Sequence, residues 1–311
     1  MFNLPFEPRT ELLDPFYKEA VDDYVQEFIT DPLHSALTDK HFDEEQNISD
    51  WNRVFRPSRM GKPALELIFD YFVGIPTAPL EDKLDAIFWS GHSFEAWLHF
   101  FYYRSNHKII GTQNFHSYHN IKGHSDFLLK SPESKNYLVD AKAINHRAFS
   151  YYEKCGLQDD RGYATQLALY TGDNELPACI VMLDKSTGDI SHAWLTDEMK
   201  RSCLARVRFI IDNVLDIEQK GYKGVEAFEE AFARGFAPPI PYAEVNKKEW
   251  TGRILPPQKM LYSPMLPLLY QLYEDINPRG ERKYYVKDYV YPDHLSHLKP
   301  DIEADVFGVD D

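Results

Sequence analysis

With 311 residues and 43% hydrophobic content, the chain can bury a substantial core as one large domain or as a domain with extensions. Acids outnumber bases 49 to 34, a net charge of −15 that opposes non-specific attraction to nucleic acid but does not dictate the content of one cleft. No apolar run approaches the length of a membrane span, and the N-terminus, with Glu7, Glu11 and Asp14, lacks the basic-then-apolar pattern of a signal peptide, so a cytoplasmic protein without membrane association is expected.

Residues 1–55 combine a short amphipathic pattern over Tyr17 to Thr30 with an acidic stretch from Asp39 to Asp50, and read as an N-terminal helical cap. Next come Arg53, Arg56, Arg59 and Lys62, just before an apolar helix expected to run to about Val73. Ser58 suits a cap and Pro63 a first helical turn. Arginine forks and backbone N–H groups at a helix start can clamp phosphate, which makes Arg56, Ser58 and Arg59 candidate contacts to a phosphate backbone. A plain solvated basic loop is the alternative.

From Glu81 to about Tyr103 the pattern predicts a long helix, expected to be well buried because of Phe88, Trp89, Phe94, Trp97, Phe100 and Phe101. Gly91 in its interior costs about 1 kcal/mol relative to alanine. One account is that the missing side chain lets a sheet approach closely enough for Glu95, one turn later on the same face, to reach a metal. His99 on the same stripe reads as a core histidine.

Lys108 to Phe115 predicts a strand, followed by a hairpin whose arms, Gly123 to Leu129 and Tyr137 to Lys142, alternate apolar and polar residues across the turn Ser131-Pro132-Glu133-Ser134-Lys135. A turn centred on Glu133 sets Asp126 opposite Asp140 and His124 opposite Lys142. Opposed side chains have Cβ atoms roughly 4.5–5.5 Å apart, where like charges are destabilising. That repulsion becomes useful if a hard divalent cation lies between the carboxylates. Lys142 shares the Asp140 face of its strand, since residues i and i+2 point the same way.

Ile144 to Gln158 reads as irregular, with Arg147, Tyr151, Tyr152 and Lys154 offering a cationic and aromatic surface. Asp159 to Thr171 reads as a helix with Gln166 and Tyr170 on one face. Strands over Ala178 to Asp184 and Ile190 to Leu195, a helix from about Thr196 to Gln219 and another near Val225 to Arg234 follow. After Gly235 the composition turns rich in Pro, Tyr and Asp, which reads as a C-terminal extension or wrapping arm with an acidic, solvated tail over Asp301 to Asp311. The expected fold is α/β, a mixed central sheet flanked by helices, with a core over residues 56–235 between the cap (1–55) and the extension (236–311).

The acid, acid-x-Lys arrangement of Asp126, Asp140 and Lys142 resembles the signature of the PD-(D/E)XK nuclease superfamily. Three further stretches, in the same chain order, are similar to motifs of RecB-like phage DNA exonucleases: Arg56-Pro57-Ser58, Gly91 to Glu95, and Gln166 to Tyr170. The resemblance implies a restriction-endonuclease-like core and metal-dependent hydrolysis of DNA phosphodiester bonds. Its Mg²⁺ or Mn²⁺ ions would be held by Glu95, Asp126, Asp140 and the Ala141 carbonyl, with Lys142 as the catalytic cation. Arg56, Ser58, Arg59, Gln166 and Tyr170 would contact DNA, and a single-strand-binding or recombination protein is a partner compatible with that role. An endonuclease or junction resolvase, or a silent nuclease-like adaptor, are the alternatives. Iron-sulfur members of the family need four cysteines, and Cys155, Cys179 and Cys203 are scattered singly, so no such cluster is expected. The family's proline before the first acid is replaced here by Ser125.

Overall fold

The computed structural model describes residues 50–74, 82–260, 263 and 265–307. Expectations for Tyr17 to Thr30, the acidic stretch 39–49, and the last four residues lie outside them.

The turn chemistry at Ser131 to Lys135 closes as anticipated. Ser134 takes a left-handed conformation (φ +66°), its N–H bonds to the Ser131 carbonyl at 2.9 Å, and the Ser131 N–H bonds to the Lys135 carbonyl at 2.8 Å. The turn joins β2 (Ile121–Lys130) to β3 (Asn136–Ile144), while β1 (Lys108–Tyr118) pairs with β2 on its other side. After β3 the chain crosses through helices α4 (His146–Cys155) and α5 (Tyr163–Thr171) to β4 (Ala178–Asp184), which lies parallel to β3, and β5 (Ile190–Trp194) closes the edge antiparallel to β4. The five-stranded mixed sheet therefore has the order β1-β2-β3-β4-β5, with β3 at its centre.

Helices cover both faces. Short α1 (Asp50–Val54) and α2 (Ala64–Phe72) precede α3 (Asp82–Arg104), whose Phe94 and Leu98 pack on Phe127, Leu129, Val139, Ala141, Cys179 and Val181. The opposite face, with Leu138, Ile144, Ile180 and Met182, packs in the larger core with α5 and with α6 (Asp197–Gln219). In α6, Cys203, Leu204, Val207, Ile210, Ile211, Val214 and Ile217 form the buried stripe that a period of 3.6 dictates. Helix α7 (Gly224–Ala233) follows, and its Phe228 meets Phe69 of α2 edge-on at 5.1 Å.

Several expectations are corrected. Helix α3 is less buried than its aromatics suggested: Trp97 and Phe101 are 55% and 49% exposed. Ser58 sits in the Pro57–Met60 turn rather than capping α2, and Pro63 occupies the N-cap position. The stretch after Ile144 is not irregular, because Asn145 caps α4 by accepting a hydrogen bond from the Ala148 N–H at 2.9 Å. The C-terminal extension, for which no strands were expected, contains two hairpins, β6 (Tyr242–Asn246) with β7 (Glu249–Leu255), and β8 (Tyr270–Ile276) with β9 (Arg282–Tyr289). Between them lies the short α8 (Leu266–Leu269). The acidic tail also departs from the solvated reading: α9 (Ile302–Phe307) buries Ile302, and Asp305 accepts a hydrogen bond from the Tyr289 hydroxyl at 2.9 Å.

Candidate active site

The β2–β3 register follows the turn, with Phe127 opposite Val139 and Leu128 opposite Leu138, and pairing ends at Phe127. One step further the strands part, so Asp126 and Asp140 flank the opening instead of facing each other as a ladder pair, and His124 does not pair with Lys142. The Ala141 N–H that β2 leaves unpaired donates to Oδ2 of Asp126 at 2.6 Å. Because a strand residue's N–H and C=O point to the same side, the Ala141 carbonyl faces the same opening.

Strand β2 changes its facing at this point. Gly123 and Ser125 turn towards α5: a Cβ on Gly123 would lie 2.7 Å from Cγ of Pro57 and 3.4 Å from Tyr170. Ser125 is fully buried and hydrogen-bonded to Nε2 of His116 at 2.8 Å, and the His116 ring lies on Tyr170 at 5.2 Å. Phe127 and Leu129 turn to α3 instead. Across from Asp126, Gln113 of β1 has φ +46°, a local distortion of the sheet edge. Asp126 is thereby placed where charge from α3 reaches it.

Asp140, on the central strand, is 2% exposed. Its Oδ1 accepts a hydrogen bond from the Gln166 amide at 3.2 Å, and the same amide donates to the Tyr170 hydroxyl at 2.8 Å. Oδ2 forms an ion pair with Lys142 but receives no aligned hydrogen bond. The Lys142 ammonium lies over the Tyr163 ring, 5.4 Å from its centre. Burial alone would lower the Lys142 pKa, but Asp140 and Asp126 outweigh it and hold the pKa above the ordinary lysine value. Asp126 is pushed well above the carboxylate range, first by burial and then by Asp140 and Glu95. Glu95 is raised to about 7 by burial and then by Asp140, with Lys142 opposing.

Glu95, Asp126, Asp140 and Lys142 thus share one electrostatic site, three acids against one cation. The reason given for Gly91 does not hold, because a Cβ there would meet nothing within 4 Å. His99 tilts against Phe127 at 6.1 Å, and burial lowers its pKa. Among the described residues, no three His, Cys, Asp or Glu side chains form a ready-made metal cage. The donor chemistry nevertheless suits a hard divalent cation: carboxylate and carbonyl oxygens only, and three crowded acids, opposed by the single charge of Lys142, whose mutual repulsion a cation would relieve.

The basic loop is tied down. Arg53 and Arg59 both reach buried Asp70, at 3.1 and 2.6 Å, while Arg56 donates to the Asn52 carbonyl at 3.0 Å, and Ser58 is exposed. Gly61 touches Gly162, the left-handed N-cap of α5 (φ +79°), and a Cβ on Gly61 would fall 2.0 Å from Cα of Gly162. Arg206 of α6 donates to the carbonyls of Met60, at 2.6 Å, and Lys62. The loop is thereby fixed beside Gly123 and α5. His116, Ser125 as its partner, and Tyr163 under Lys142 were missed by sequence reasoning. Only Tyr163, directly after the helix-capping Gly162, left a local signal.

Neither a family model nor a curated protein sequence matches the chain. Similar solved structures include the alkaline exonuclease LHK-Exo from Laribacter hongkongensis, at 12% identity and a TM-score of 0.35 over 58% of this chain and 98% of that one. LHK-Exo in complex with dAMP is similar at 13% identity and a TM-score of 0.37, over 58% and 98% of the two chains.

Proposed function

We propose that the chain is a divalent-metal-dependent nuclease that hydrolyses DNA phosphodiester bonds, with exonuclease action of the RecB-like phage type favoured by its four ordered motifs. The observation that supports this most is Asp140, buried with one oxygen on the Gln166 amide and the other on the Lys142 ammonium, beside Asp126 and Glu95 with raised pKa values. Glu95, Asp126, Asp140 and the Ala141 carbonyl would hold Mg²⁺ or Mn²⁺, which when bound lowers the pKa of water and supplies charge for the phosphoryl group.

The chain's own residues divide the remaining work. Lys142, kept protonated by its acids, acts as a fixed positive charge for a phosphate oxygen rather than as a general base. Tyr163 and Asp140 set its position, and Gln166 with Tyr170 sets that of Asp140. Arg56 and Ser58, in the loop that Pro57 seats against Gly123, are the motif residues offered for a phosphate contact.

A second reading, a nuclease-like scaffold that binds without cleaving, draws on the ion pair of Lys142 with Asp140 and on the lack of a preformed three-ligand cage among the described residues. Digestion of end-labelled linear and closed circular DNA, with Mg²⁺ and with EDTA, separates the readings. Mg²⁺-dependent loss of linear DNA that spares circles supports an exonuclease, and cutting of circles supports an endonuclease. Binding without cleavage in any metal supports the scaffold. In the first case Asp140→Asn should slow cleavage by roughly 10²-fold or more, the equivalent of a few kcal/mol of transition-state stabilisation.

A further inference from the structure

A pocket of about 380 Å³ opens between the first turn of α4 and the C-terminal hairpins. Its wall includes Arg147 of α4, Tyr242 and Asn246 of β6, Arg279 of the β8–β9 turn and Lys283 of β9. The one acid lining it, Glu244, is 8% exposed and is engaged by the Tyr285 hydroxyl at 3.2 Å and the Thr251 hydroxyl at 3.1 Å.

The cations carry the chemistry. Several described arginines are neutralised by carboxylates: Arg53 and Arg59 pair with Asp70, Arg208 with Asp173, Arg234 with Asp216, Arg253 with Asp275. Arg147 and Arg279 make no such pair among the described residues. Two guanidinium forks without a carboxylate pair, beside Lys283, which reaches Glu281 at 3.6 Å, give this polar concavity the chemistry that recognises phosphate oxygens.

Position says which phosphate. Arg147 lies five residues after Lys142 in the sequence, and an extended segment of that length spans at most ~18 Å. At 3.4 Å of axial rise per nucleotide, that is at most about five nucleotides from the acid cluster. Tyr242, 42% exposed, adds a ring on which a base can stack. We infer that this pocket binds backbone phosphates of a nucleic-acid strand a few nucleotides from the acid cluster, so that the C-terminal hairpins form part of the strand's path. This rests on the nuclease reading and adds a second point of attachment to it.

The test is fluorescence anisotropy with a labelled single-stranded 20-mer in EDTA, comparing the full chain with Arg147→Gln/Arg279→Gln. The variant should bind about tenfold more weakly, and its log-affinity against log-salt slope should fall in magnitude by ~1.4, two contacts at ~0.7 each for a single strand. Arg147→Lys/Arg279→Lys, which keeps both charges, should retain most of the slope. Inorganic pyrophosphate is the probe for the alternative source of phosphate. Pyrophosphate binding lost in the glutamine variant with strand affinity unchanged would overturn the inference in favour of a free-phosphate site. Unchanged affinity and slope, or no strand binding by the unmodified chain, would overturn it outright. The nuclease reading fails separately: if Asp140→Asn still cleaves while the glutamine variant has lost strand binding, the acid cluster is misassigned and the pocket stands.

Discussion

At the scale of single residues, the site is dominated by carboxylates held against their own charge. Glu95 takes up a proton more readily in the folded chain than in the unfolded one, its pKa raised from 4.5 to about 7. Its contribution to stability is therefore fully present below pH 4.5 and is lost as pH rises through about 7. In EDTA the melting temperature should fall across that window, and Glu95→Gln should flatten the fall and melt higher at pH 7, by about 2–4 °C per kcal/mol gained. A melting curve that Glu95→Gln leaves equally steep would show that Glu95 does not feel the cluster. Asp126→Asn should likewise raise apo stability at neutral pH, since Asp126 is crowded by Asp140 and Glu95. Lys142→Ala acts in the opposite sense. It strands buried Asp140 without its cation, at a cost of about 3–5 kcal/mol measurable in urea, so Asp140→Asn is the cleaner activity probe.

Among elements, the close contact of Gly61 with Gly162 seats the Arg56-Pro57-Ser58 loop on α5. Gly61→Ala drives a Cβ to 2.0 Å from backbone that cannot yield cheaply. It should cost about 2–3 kcal/mol in denaturant unfolding and lower any cleavage activity with it. Gly188→Ala, at φ +80° but with open space around it, should cost only about 1 kcal/mol. Equal costs would mean that the glycine contact does not hold the loop. The hairpin register was legible because the turn at Ser131 to Lys135 counts residues from one end. Its termination at Phe127 was not, since there β2 changes its facing, Gly123 meeting Pro57 and Tyr170 while Phe127 and Leu129 pack with Phe94 and Leu98 of α3, partners distant in sequence. Helix α4 was legible and missed: Asn145 caps it, and Ala148, Phe149 and Tyr152 recur at helical spacing on its buried face. Gly91 shows the reverse error, a helix glycine read as a close approach where the structure leaves room.

For the whole molecule, a net charge of −15 repels polyanions at long range, so any strand must be held by local cations. The alternation pattern and helix periods disclosed the central sheet. The β8–β9 turn, Asn277-Pro278-Arg279-Gly280 with Gly280 at φ +82°, was legible and missed, whereas the β6–β7 hairpin stayed hidden because its turn uses Lys247 and Lys248, at φ +51° and +72°, where glycine or asparagine would normally announce it. The acidic tail is another case, since its docking depends on Tyr289, a distant residue. Deleting residues 301–311 removes buried Ile302 and the hydroxyl's acceptor Asp305, and should destabilise the chain by about 2–3 kcal/mol. An unchanged melting temperature would return the tail to a solvated role. Tyr270, Val286 and Tyr289 of the hairpins, with Met260 and Leu269, lie in the same continuous core as Leu167 of α5 and Ile210 of α6. The consequence is cooperativity. A scanning calorimeter should record one transition for sheet and hairpins together, and a chain cut after Gly235 should lose its heat-absorption peak rather than keep a smaller one.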